Sequence, residues 1–130
     1  MIGVDTNILL RMFDRSDAAQ AEAADRLVAE KAGGCLVNPI VLAEFAWTLD
    51  RTYKLDRESI AERVDRIVKS SEYVVAFPEA AMVALANFRT GSAGFADYLL
   101  AELNHSLGCE TTYTFDRAAA RADGFTLLNV

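Results

Sequence analysis

Apolar positions along the chain fall into short β-rich runs separated by longer stretches with apolar residues every three or four positions. Residues 1–4 are a short apolar run ending at Asp5, which predicts a strand. Residues 7–13 have the length of a short helix. Ser16 or Asp17 can cap the next helix, which carries Ala24, Leu27 and Val28 inward and stops at Gly33 and Gly34. Residues 35–37 predict a second strand. Pro39 suits a first helical turn, and the helical pattern continues to about residue 53. Asp56 caps a helix with Ile60, Val64, Ile67 and Val68 at helical spacing. Residues 73–77 predict a third strand, and Pro78 opens an alanine-rich helix to about residue 89. After a loop over 91–94, residues 95–107 form a helix closed by Gly108 at the position that favours a left-handed backbone. Residues 111–115 are rich in β-formers and predict a fourth strand. A short helix follows Asp116, and residues 125–128 form a last strand.

Strands alternating with helices imply right-handed βαβ units and a parallel sheet with helices on both faces. In such sheets ligands bind beyond the carboxyl ends of the strands. No internal repeat, linker or low-complexity stretch interrupts the 130 residues, so residues 1–130 are expected to form one domain. At 52% hydrophobic, the chain can build a core without disulfides or a structural metal. The N-terminal stretch lacks a basic leader and is broken by Asp5, so no signal peptide is expected. No run approaches the roughly 18 apolar residues that span a bilayer, and the expected location is cytoplasmic. The two cysteines, Cys35 and Cys109, are too few for a disulfide scaffold and read as small buried hydrophobes.

Four acids stand apart from the rest. Asp5 ends the first strand, where a sheet buried on both faces should be apolar. Asp116 repeats the arrangement after Thr114 and Phe115. Either can instead be a helix cap or turn residue. Glu44 shares a helix face with Ile40 and Trp47 in an otherwise apolar turn, so it is expected to be buried and either protonated, paired with Arg51 or another arginine, or bound to a cation. Asp97 lies in the first turn of its helix, where the helix dipole also favours an acid. By contrast, Glu22, Asp25, Glu58, Glu62, Asp65 and Glu102 fall on solvated helix faces. Four acids that end strands or interrupt apolar contexts are most economically neutralised by a divalent cation. The net charge of −6 argues against a generic nucleic-acid binder, but bound cations would reverse the sign locally.

In order and context these residues resemble the PIN-domain ribonucleases, specifically the VapC toxins of bacterial toxin–antitoxin pairs. The motifs are Asp5-Thr6-Asn7 after a short strand, Glu44 in the run from Pro39 to Phe45, Asp97 between Gly94 and Leu99, and Thr114-Phe115-Asp116 after a β run. The set spans nearly the whole chain. The resemblance implies a three-layer α/β/α sandwich with a central, mostly parallel sheet. It implies that Asp5, Glu44, Asp97 and Asp116 bind Mg²⁺ or Mn²⁺ and hydrolyse single-stranded or looped RNA, with Thr6, Asn7 and Thr114 supporting them. It also implies a homodimer and a VapB-type antitoxin that forms higher-order complexes, contacts DNA through its own domain and blocks the site. No membrane partner is implied.

Carboxylate oxygens suit hard cations, whereas a single histidine, His105, and two separated cysteines do not make a zinc site. His105 reads as a surface or cap residue near a helix end. Arg11, Arg51, Arg89, Arg117 and Arg121 are candidate phosphate contacts. Two alternatives remain: a catalytically silent PIN-like scaffold, and an aspartyl-phosphate phosphatase or phosphoacceptor domain. The second requires a second nearby acid, which Asp5-Thr6-Asn7 lacks, and a positioned lysine, whereas Lys31, Lys54 and Lys69 all occupy solvent-like contexts.

Overall fold

The computed structural model describes residues 1–130 as alternating strands and helices. They run β1 (Ile2–Gly3), α1 (Thr6–Phe13), α2 (Ala18–Glu30), β2 (Cys35–Val37), α3 (Pro39–Arg51), α4 (Arg57–Lys69), β3 (Tyr73–Val75), α5 (Pro78–Thr90), α6 (Phe95–Ser106), β4 (Thr112–Thr114) and β5 (Phe125–Leu127). A single 3-10 turn over Ala119–Arg121 takes the place of the short helix expected after Asp116.

Local chemistry accounts for most of these boundaries. Asp17, Asn38 and Asp56 each accept a backbone N–H at the start of α2, α3 and α4, satisfying one of the donors a helix leaves unpaired. Pro39 and Pro78 take the first helical position, where no N–H is needed. Beyond α6 the chain turns through Gly108 at φ +95°, a conformation open to glycine at little cost.

The fold is a three-layer α/β/α sandwich built on parallel strands. β1 pairs with β2 and β2 with β3, both parallel, so the carboxyl ends of these three strands share one edge. β4 and β5 pair parallel to each other in a separate ladder. One continuous central sheet was expected; two are found. β1 is only two residues long, and by Val4 and Asp5 the chain has already turned toward α1, which leaves little backbone to pair on a second edge. The third strand is also shorter than its apolar run. Phe77 leaves it in the left-handed region at φ +53° and starts α5 without a side-chain cap.

A cluster of 23 buried residues holds the layers together, with Phe45, Leu42 and Leu49 of α3 among its most enclosed side chains. Every fully buried side chain is apolar apart from the Tyr98 hydroxyl, which lies 3.4 Å from the Ala93 N–H that donates to it. Cys35 is buried as expected. Cys109 is exposed, because it lies past Gly108 in the turn leaving α6, where no element covers it. No helix is long and apolar enough to cross a membrane.

Candidate active site

Asp5 and Asp116 are held in the same way. Each follows a strand and turns its Oδ1 onto the next backbone N–H groups. Asp5 accepts from Asn7 at 3.1 Å and from Ile8 at 3.3 Å. Asp116 accepts from Ala118 at 2.8 Å and from Ala119 at 3.3 Å. Capping thus uses one carboxylate oxygen and leaves Oδ2 free in both residues, so the cap and ligand readings are compatible. Thr114 supports Asp116 directly: its Oγ1 accepts the Asp116 N–H at 3.0 Å. Thr6 opens α1 half-buried. Asn7 is exposed, and its backbone N–H donates to Asp5.

Asp97 sits half-buried in the first turn of α6, which begins at Gly94 without a side-chain cap. Burial pushes its carboxyl above the ordinary carboxylate value, the Gly94 backbone pulls it back, and the negative charge of Asp116 adds to the rise. The two acids share a cleft of about 470 Å³ at the junction of α3, α6 and the carboxyl end of β4. Phe88 and Phe95 form part of its apolar floor, and Trp47, Asp50 and Arg51 of α3 line its side.

Glu44 does not occupy the expected place. It is exposed, and so is the rest of its helix face: Ile40 is 70% exposed and Trp47 58%. α3 buries its opposite side, Leu42, Phe45 and Leu49, and nothing packs over the Ile40–Glu44–Trp47 stripe. The apolar neighbours of Glu44 therefore form an open surface beside it. Arg51, its expected partner, instead lies 5.9 Å from the Trp47 ring centroid.

Asp97 and Asp116 are thus brought together, while Asp5 and Glu44 lie outside the cleft lining. As the side chains stand, no three acids, histidines or cysteines of the chain converge closely enough to grip one ion. None of the four acids is neutralised by a basic side chain either. The ion pairs of the molecule are Arg11–Asp14, Arg15–Asp25, Arg26–Glu22, Lys69–Asp65 and Arg89–Glu58.

Of the five arginines considered as phosphate contacts, only Arg51 lines the cleft. Arg11 is largely enclosed beside Asp14, and Arg89 pairs with Glu58 at 2.9 Å. Arg117 and Arg121 are exposed and are not part of the cleft lining. The cleft's other arginine, Arg57, was not singled out from sequence. It donates to the Phe88 and Ala93 carbonyls and lies 4.0 Å above the Phe88 ring, which ties α4 to the loop before α6. Asp50 was missed as well. Its signal was its position three residues past Trp47, on the continuation of the Glu44 face.

No curated protein matches the chain. The PIN domain family matches it over residues 2–125, a span that includes β1, all six helices and all four acids. PIN domains are generally nucleases, and so hydrolases, and they typically use divalent metals. With the match covering nearly the whole length, the chain belongs to the PIN domain family.

Proposed function

We propose that this PIN domain is a metal-dependent endoribonuclease that hydrolyses phosphodiester bonds of single-stranded or looped RNA, and that it acts as the toxin of a VapBC-type pair. The observation that carries the reading is the Asp97–Asp116 pair: two acids in one cleft, one half-buried and raised in pKa, with no basic side chain paired to either. Like charges in a partly desolvated site are costly unless a cation offsets them. The donor set is oxygen only, which suits Mg²⁺ or Mn²⁺.

Asp97 and Asp116 would hold the ion, with Asp5 and Glu44 completing the set. Mg²⁺ or Mn²⁺ bound there would supply a lowered pKa for an attacking water and positive charge for the leaving oxygen. The chain's own part is positional. Backbone N–H groups fix the Asp5 and Asp116 carboxylates and leave Oδ2 of each free. Thr114 fixes the backbone of Asp116, and Thr6 and Asn7 shape the turn that presents Asp5. Arg51 carries no hydrogen bond or ion pair in the chain and is free to meet a phosphate at the cleft.

The toxin role, the antitoxin and a homodimer follow from the motif resemblance alone. An antitoxin that blocks the site would compete with RNA for the same cleft. A catalytically silent scaffold is the second reading, favoured by the lack of three converging ligands. The phosphoacceptor alternative has no lysine at the cleft: Lys31, Lys54 and Lys69 are exposed, and Lys69 pairs with Asp65. Cleavage of a fluorescent single-stranded RNA in Mg²⁺ or Mn²⁺, with a chelator control, decides between nuclease and scaffold. Chelator-sensitive internal cleavage that is lost in Asp97→Asn supports the proposal; no cleavage in either metal overturns it.

A further inference from the structure

Trp47 is the chain's only tryptophan, and it is 58% exposed. The cleft has two other aromatics, Phe88 and Phe95, at 3% and 2% exposure, so Trp47 alone offers a ring to an incoming ligand. The other exposed aromatics, Phe77, Tyr113 and Phe115, are not part of the cleft lining. The ring's company is also specific. Arg51, one helical turn on, holds its guanidinium 5.9 Å from the ring centroid, at the outer limit of a cation–π contact. Arg57 is occupied by two backbone carbonyls, so Arg51 is the free cation of this cleft.

We propose that Trp47 is a base-stacking platform for single-stranded RNA. Its ring takes the face of the nucleobase flanking the scissile bond, and Arg51 meets the adjoining phosphate. The inference rests on the nuclease reading and adds the substrate contact to it. A planar apolar ring beside a free guanidinium is the pair of features by which sequence-tolerant proteins hold single strands: bases stack on aromatics while cations track the backbone. The ring also stands beside the acids, since Asp97 and Asp116 line the same cleft and Glu44 lies one turn back along α3. A base stacked on Trp47 would therefore set its own phosphate next to the proposed site of cleavage. The cleft that holds the ring also carries the charged groups Asp50, Arg51, Asp97 and Asp116, so an incoming strand meets a stacking face and charge together.

The test uses the full chain, Mg²⁺ and two single-stranded oligoribonucleotides, one complete and one lacking the base next to the cleaved bond. Base stacking on an aromatic implies that Trp47→Ala raises KM for the complete substrate about ten-fold or more, with a much smaller change in kcat. Trp47→Phe should recover most of the loss. The abasic substrate should be cleaved alike by parent and Trp47→Ala, because the interaction is already missing from the substrate side. Because the side chain is exposed, a thermal melt matching the parent's should accompany each variant. Cleavage by Trp47→Ala with the parent's KM overturns the inference and leaves the nuclease reading standing. So does an unchanged KM accompanied by loss of self-association, which would assign the ring to a protein interface. A parent that cleaves no RNA overturns both.

Discussion

Asp5 and Asp116 are built alike and placed differently. Both end a strand, both turn Oδ1 onto two backbone N–H groups, and both keep Oδ2 free. Asp116 nevertheless shares a cleft with a half-buried acid, whereas Asp5 stands exposed after β1, outside the lining of that cleft. The same contrast separates Asp97, whose carboxyl is raised by burial and by Asp116, from Glu44, which lies on an open helix face. The strand-end motif fixes how a carboxylate is held, and packing between distant segments decides what it faces. Asp97 and Asp116 are therefore the nucleus of the proposed metal site, and Asp5 and Glu44 its outer members.

The largest effect expected from this contrast is on catalysis. Asp116→Asn keeps a capping oxygen, because Asn is as good a cap as Asp, yet it removes the charge. Losing several kcal/mol of metal-derived stabilisation corresponds to roughly a hundred- to thousand-fold in rate. Cleavage assays of Asp97→Asn and Asp116→Asn should show that loss, with a smaller one for Asp5→Asn and Glu44→Gln. Equal losses at all four positions would erase the distinction between nucleus and outer members.

Next in size is a break in the frame that presents Asp97. A Cβ added at Gly91 would fall on the Tyr98 hydroxyl and lie 2.9 Å from the Asn87 carbonyl oxygen. Tyr98 is the residue after Asp97, and its hydroxyl accepts the Ala93 N–H across the loop. Gly91→Ala should destabilise the protein by about 1–3 kcal/mol, as overpacking does, measurable by denaturant unfolding. Cleavage should fall beyond what the lost stability explains.

A smaller effect separates Asp97 from Asp5 in the metal-free protein. An acid disfavoured by burial and by a like charge is relieved when it is made neutral. Asp97→Asn should therefore raise the melting temperature without metal, while Asp5→Asn leaves it nearly unchanged. A lower melting temperature for Asp97→Asn would contradict the electrostatic reading of the cleft.

The smallest effect lies away from both pairs. Hydrogen bonds from the Tyr53 hydroxyl and from Ser16, together with Arg11, hold Asp14 at about 2, well below its ordinary value. A depressed acid contributes stability that is present above its unfolded value near 3.8 and is lost as pH falls toward about 2. Tyr53→Phe removes the largest cause, so its acid-unfolding limb should move to higher pH, with little change at neutral pH beyond the lost hydrogen bond. A far-ultraviolet acid titration of both proteins checks this.

Local signals were legible in the sequence because they act within a few residues. Asp17, Asp56, Pro39, Pro78 and Gly108 marked element ends that the fold keeps. The four acids were legible as exceptions to local pattern, and the family match spans all of them. The environment of Glu44 was not legible. A helix turn reading Ile40, Glu44, Trp47 has the same sequence whether or not another element covers it, and none does. Nor could local pattern reveal that β4 and β5 form their own ladder, that Cys109 lies uncovered, or that Arg57 lines the cleft. Each depends on which distant segment arrives alongside.

In the proposed mechanism a divalent cation binds at the pair formed by Asp97 and Asp116. Manganese titration followed by nuclear magnetic resonance tests it most directly, because the paramagnetic ion broadens the amides around wherever it resides. The account predicts that the amides of Asp97, Asp116 and their immediate neighbours broaden first, with Asp5 and Glu44 following and the Asp97→Asn protein unaffected at the same concentration. Weak broadening spread evenly over exposed acids such as Glu22 and Glu62, unchanged in Asp97→Asn, would contradict it.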